Sequence, residues 1–149
     1  MIKKIIVVID GSEQSDKALD FALDLARNYS AEIVLINVLS PSLLSYVYNS
    51  RMFVPNVDYS KYLKQIRAPD EKLLSKALNK AKNFQETLKV SKELVEGRPA
   101  EKIVETAKKG MFDLIVVGSR GLRGFKEIFL GSVSVRVADK AHCPVLTVK

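Results

Sequence analysis

The sequence predicts an α/β fold: a five-stranded parallel sheet of order 3-2-1-4-5 with helices on both faces. Three observations carry this. Short continuous apolar runs recur as KIIVVI, EIVLINV, DLIVV and PVLTV, and such runs suit strands buried on both faces. Stretches with apolar residues at helical spacing alternate with them. Right-handed crossovers then leave few strand orders, and the commonest for this count starts at the centre, builds to one edge and returns to the other.

The elements follow in order. Lys4–Ile9 is the first strand, ending at Asp10-Gly11-Ser12. Ala18, Leu19, Ala22, Leu23, Leu25 and Ala26 make the inner stripe of a helix that Ser12 or Ser15 can cap. Glu32–Val38 is the second strand. Residues 40–68 form a long insert holding Tyr46, Tyr48, Tyr59 and Tyr62 with Leu43, Leu44, Met52 and Phe53. Its aromatic content argues against simple disorder, so it is expected to fold over a ligand or pack in a subunit interface. Pro69-Asp70 opens a helix with Leu73, Leu74, Ala77, Leu78, Ala81 and Phe84 inward. Leu88–Val95 is a more polar strand, nearer an edge. Pro99 starts the next helix from its first turn, with Ala100, Ile103, Val104 and Ala107 inward and Gly110 at its end. Asp113–Val117, a helix over Ser132–Ala141 and the strand Pro144–Val148 complete the chain.

A chain of 149 residues is read as a single domain, residues 1–149, carrying that one long insert. Hydrophobic residues at 47% beside 28% charged residues suit a soluble globular protein. The net charge of +7 is spread over many segments, which reads as a solvated surface and makes nucleic acid an unlikely principal partner. No apolar run approaches the ~20 residues of a membrane span. MIKKIIVVIDGSE has too short an apolar core for a signal peptide, so a cytoplasmic protein is expected. The single cysteine, Cys143, excludes an intrachain disulfide and a multi-cysteine metal site.

Four of the seven glycines, Gly118, Gly121, Gly124 and Gly131, fall within VGSRGLRGFKEIFLGSV. In the predicted order the chain reverses between strands one and four, and ligands bind outside the carboxyl ends of the strands at such a reversal. The loop carrying Asp10 and the glycine cluster converge there. Gly118 and Gly121 let backbone N–H groups turn toward an anion, and Gly131-Ser132 opens a helix whose first amides favour negative charge. With the Ser132 hydroxyl and a guanidinium from Arg120 or Arg123, the set favours a phosphate chain over a single carboxylate. The bland alternative is a surface turn. GxxxxGK[ST] is absent, and GSRGLRG is not GxGxxG after the first strand.

Other chemistries fit poorly. A receiver-type phosphoacceptor at Asp10 and Glu13 lacks its partner aspartate and lysine at the later strand ends. His142-Cys143 before Pro144 reads as a turn with a small thiol. No GxSxG elbow surrounds any serine.

The spacing Gly118-x2-Gly121-x9-Gly131-Ser132 resembles the nucleotide-binding signature of the universal stress protein family, in its ATP-binding branch. IIVVIDGSEQSDKAL, FDLIVVGSRG and LGSVSVRVADKAHCPVLTV resemble that family's opening strand and helix, its fourth strand, and its last helix and strand. The resemblance implies a Rossmann-like, adenine nucleotide alpha hydrolase-like fold. It places Asp10, with the backbone near Val8 and Ile9, against adenosine, and Val38 against adenine. Gly118, Arg120, Gly121, Gly131, Ser132, Val133 and Ser134 would surround ribose and phosphates, with Val117, Ser119 and Arg123 in the same binding loop. ATP, ADP or AMP would be the occupant. Mg2+ or Mn2+ would bind through phosphate oxygens, with Asp10 the candidate protein ligand. A homodimer through Pro144–Val148 is implied as well, its exposed apolar edge being covered by pairing. No catalytic residue is assigned. The implied role is a nucleotide-dependent regulatory or stress-response protein acting on a further protein partner; a slow ATPase or nucleotidyl-transfer enzyme using the same site is the alternative.

Overall fold

The computed structural model describes residues 1–40, 58–121 and 130–149. Its strands are β1 (Lys4–Val8), β2 (Glu32–Leu39), β3 (Val90–Glu96), β4 (Leu114–Gly118) and β5 (Val145–Val148). Its helices, among the described residues, are α1 (Glu13–Tyr29), α2 (Tyr59–Phe84), α3 (Pro99–Lys109) and α4 (Ser132–Lys140). All neighbouring strands pair parallel, in the order β3-β2-β1-β4-β5. The architecture expected from the apolar runs is the one observed.

Alternation along the buried strands separates two cores. Ile5, Val7, Ile9, Ile33 and Leu35 face α1 and α2, where Ala18, Leu19, Ala22, Leu23, Leu74, Ala77 and Ala81 meet them. Ile6, Val8, Ile36, Ile115 and Val117 face α3 and α4, against Ala100, Ile103, Ala107 and Val137. Both faces of the sheet are therefore dry, which is why β1, β2 and β4 read as unbroken apolar runs. β3, with Ser91 and Glu93 exposed, takes an edge.

One element departs from its expectation. α2 begins at Tyr59, eleven residues before Asp70, and runs through Pro69. Asp58 caps it, accepting from the Ser60 N–H at 3.0 Å and the Ser60 hydroxyl at 2.5 Å. A mid-helix proline removes one donor and crowds the preceding turn, so the sequence reading placed the start there. Tyr59 and Tyr62, one turn apart on the helix, pack with ring centroids 6.4 Å apart, and Arg67 reaches Glu96 of β3 at 3.1 Å. The insert thus loses residues 59–68 to the helix. Tyr46, Tyr48, Leu43, Leu44, Met52 and Phe53, on which its expected packing rested, lie outside the described residues.

α1 keeps its expected start. Ser12 is its cap, with Oγ accepting from the Ser15 N–H at 3.0 Å. α3 has Pro99 in its first turn and Gly110 at its C-cap. Asp113, leading into β4, accepts from the N–H groups of Lys3 and Lys4 at 2.8 and 2.9 Å, anchoring the start of β1. Those two bonds hold its carboxyl below the usual aspartate range.

Candidate functional site

β1 and β4 are neighbours at the centre of the sheet, paired from Ile5↔Leu114 to Val7↔Val116. Their carboxyl ends release two loops into one crevice. The Ser12 hydroxyl of the first donates to the Arg120 carbonyl of the second at 3.3 Å. Asp10 makes a tight turn, its Oδ1 accepting from the Ser12 N–H at 2.9 Å. Gly11 follows at φ +82°, a left-handed conformation that favours glycine, under Leu73 of α2. A Cβ on Gly121 would lie 3.0 Å from Asp10 Oδ2, so Gly121 is held against that carboxylate.

The start of α4 closes the crevice. The Gly131 N–H donates to the Ser119 carbonyl at 2.6 Å, and a Cβ on Gly131 would stand 3.2 Å from that same oxygen. Glycine at 131 is thus required by close approach, its φ of −61° being ordinary. The cap lends α4 no side-chain hydrogen bond. The first intrahelical bond runs from the Val135 N–H to the Gly131 carbonyl, so the amides of Ser132, Val133 and Ser134 have no acceptor within the helix. Three such N–H groups at the positive end of a helix favour an anion.

The expected residues divide by what each can offer. Asp10, Ser119, Arg120, Gly121, Gly131, Ser132, Val133 and Ser134 come together here. Val8 and Val117 are buried in the core under α3 and α4, and Val133 packs against it. The Ile9 side chain lies in the opposite core and its N–H donates to Ile36 at 2.8 Å. The Ser134 hydroxyl is used inside the fold, donating to the Gly131 carbonyl at 2.8 Å and the Ser119 carbonyl at 3.3 Å. The Ser119 N–H donates to Val148 of β5 at 2.6 Å. Arg123 and Gly124 lie outside the described residues.

Gly118 has a role that its place in the glycine cluster hid. A Cβ there would stand 2.9 Å from the Gln14 carbonyl carbon, Gln14 Cβ and Ser15 N, so glycine lets β4 pass against the first turn of α1. Gly118 and Gly121, equivalent anion-facing positions by spacing alone, are separated by their neighbours. The Ser12–Arg120 tie is likewise not given by spacing, the serine two residues after Asp10 being its one available signal.

Val38 sits at the carboxyl end of β2, two residues beyond the Ile36 that pairs with Val8. That register brings it level with Asp10. Beside it, buried Asn37 donates from Nδ2 to Asp70 Oδ1 at 3.4 Å. Burial pushes the Asp70 carboxyl above its usual range, and the Asn37 bond opposes that shift.

The Ser119 Oγ is buried and has no hydrogen-bond partner among the described residues. A buried hydroxyl without a partner is uncommon and marks a place where an additional polar group fits. It lies on the loop whose carbonyl receives Gly131. The amides of α4 and this hydroxyl suit a phosphorylated ligand. Among the described residues no group of three His, Cys, Asp or Glu side chains is placed to hold a metal ion. His142 is exposed and Cys143 half-buried; burial, then the Asp113 charge, pushes that thiol up. No helix among the described residues is long and apolar enough to cross a membrane.

The model of the universal stress protein family matches residues 1–149. The chain is 36% identical to the universal stress protein YxiE of Bacillus subtilis over 155 aligned residues, covering 100% of both chains. It is 37% identical to the universal stress protein MJ0531 of Methanocaldococcus jannaschii, covering 100% of this chain and 83% of the relative. A crystal structure of a universal stress protein in complex with cAMP superposes with a TM-score of 0.74 at 26% identity, covering 99% of this chain and 97% of that one.

Proposed function

The chain belongs to the universal stress protein family, and from that premise we propose that it binds an adenine nucleotide, ATP foremost, in the crevice between β1 and β4. The carrying observation is the start of α4, where the amides of Ser132, Val133 and Ser134 lack helical acceptors beside the buried, unpartnered Ser119 hydroxyl. The cAMP bound by a structural neighbour supports the same ligand class.

The residues divide the work by position. The α4 amides receive phosphate oxygens, and Gly121 and Gly131 let the loop and the helix start close on Asp10 and Ser119. Asp10, its Oδ1 held by the Ser12 N–H, faces the adenosine part, and the backbone at Val38 meets the base. Arg120 contributes positive charge beside Gly131. Mg2+ or Mn2+ enters with the nucleotide through its phosphates, with Asp10 Oδ2 the nearest carboxylate oxygen to Gly121. The reading is regulatory: occupancy alters the surface offered to a protein partner. A turnover rate above about 1 s⁻¹, within the enzymatic range, would favour the ATPase or nucleotidyl-transfer alternative.

The reading includes a homodimer through β5. The two sheet edges differ: β3 carries Lys92, Glu93 and Glu96, whereas Val145, Leu146, Thr147 and Val148 are uncharged. Charges guard an edge against pairing, so β5 is the edge left for a second copy.

Thermal melting with and without ATP and Mg2+ tests the nucleotide site. Ligand at about 100 times its dissociation constant adds about 2.7 kcal/mol. That raises Tm by roughly 5–10 °C for a chain of this size. Gly131→Val, verified as folded, should lose the shift. Absence of any shift with ATP, ADP and AMP on folded wild-type protein overturns the proposal.

A further inference from the structure

The extension of α2 back to Tyr59 gathers charge that looked scattered along the sequence. This helix carries seven Lys and Arg against two Asp and Glu, so most of the chain's +7 belongs to it. Leu74, Ala77 and Ala81 mark its buried side. At 3.6 residues per turn, Lys61, Lys64, Lys72 and Lys76 fall on the opposite side, and all four are exposed. They span about 22 Å of helix. Had the helix started at Asp70, Lys61 and Lys64 would have had no fixed relation to the other two.

The remaining cations of α2 are otherwise accounted for. Arg67 pairs with Glu96 at 3.1 Å, and Lys80 with Asp20 at 2.8 Å and Asp16 at 3.7 Å. Lys82 lies in the last turn, where the carbonyl end of the helix favours a cation. None of the ion pairs among the described residues involves Lys61, Lys64, Lys72 or Lys76. Asp58, at the helix start, feels the charge of Lys64 but spends Oδ1 on Ser60. Gln65, Ala68, Ser75 and Asn79 lie within this face, with Glu71, paired to Lys92 at 2.8 Å, and the half-exposed Tyr62 at its margins.

The geometry points to the solvent face of α2 as a docking surface for a nucleic-acid phosphate backbone, engaged by Lys61, Lys64, Lys72 and Lys76 without reading bases. Protein interfaces concentrate their energy in aromatic and arginine anchors and deplete lysine from their centres; this face has the opposite composition. An amphipathic helix binds a bilayer by burying its apolar side, and the apolar side of α2 is already packed on the sheet. A row of point charges without an apolar anchor suits phosphates, which position a protein without conveying sequence. This surface is separate from the crevice between β1 and β4 and does not depend on nucleotide binding there.

Fluorescence anisotropy with a labelled mixed-sequence DNA duplex tests it. Four phosphate contacts give a slope of log affinity against log salt of about −3.6, a loss of roughly 100-fold between 50 and 200 mM salt. Lys72→Gln with Lys76→Gln should bring the slope to about −1.8. Lys108→Gln with Lys109→Gln, the same charge removed from exposed positions on α3, should leave it unchanged. Glutamine is a good helix former, so both variants keep the fold, and the wild-type slope is an independent readout. No binding at 50 mM salt, equal losses in the two variants, or tighter binding to phosphatidylserine vesicles than to the duplex overturns the proposal.

Discussion

Replacing Gly118 by alanine separates a packing glycine from a ligand-facing one. The added methyl would stand 2.9 Å from Gln14 C, Gln14 Cβ and Ser15 N, whereas carbon atoms rest at about 3.5–4.0 Å. α1 and β4 must therefore part by more than half an ångström. α1 cannot yield freely. Its first turn is pinned by the Ser12–Ser15 bonds, both 3.0 Å, and Ala18, Leu19 and Ala22 are fully buried beneath it. β4 is held on both sides by β1 and β5. Overpacking of this kind costs about 1–3 kcal/mol. The lower entropy of the unfolded alanine chain offsets roughly 0.4–1 kcal/mol of that. A net loss of about 1–2 kcal/mol follows, lowering Tm by roughly 2–8 °C. Urea unfolding without nucleotide should show a lower midpoint at unchanged m. Unchanged stability combined with lost nucleotide binding would refute the reasoning and return Gly118 to the ligand.

Two further substitutions test α2. Asp70→Asn removes a carboxyl whose folded pKa is raised by burial; the protonated form stabilises wild type below the unfolded pKa, and that contribution disappears as pH rises through the folded value. Urea melts should therefore show the variant gaining on wild type as pH rises above about 4, the ordinary aspartate value, with no change in the difference counting against the assigned burial. Pro69→Ala restores a donor within the helix and should raise stability by about 1–2 kcal/mol; a fall in Tm would contradict a continuous α2.

Much of the site was legible because its signals are local. Asp10 at a strand end, Gly121 in the next central loop and Gly131-Ser132 at a helix start each follow from residues adjacent in sequence, and the parallel topology brings them together. The Gly118 contact with Gln14 and the Ser12–Arg120 bond were not legible: each joins residues about a hundred positions apart, and nothing local marks the partner. Ser134 illustrates the same limit. Its hydroxyl could serve a ligand or the fold, and only the placement of the Ser119 carbonyl assigns it to the fold.

The amino-acid sequence alone determined the strands and their order, because burial on both faces and helical periodicity are written in neighbouring residues. Tertiary structure alone decided where α2 begins, which glycines are packing glycines, and that four lysines share one face. The glycine contacts join distant segments, close enough to exclude a single methyl group, and the helix that aligns the lysines runs through a proline that local rules place at a helix start.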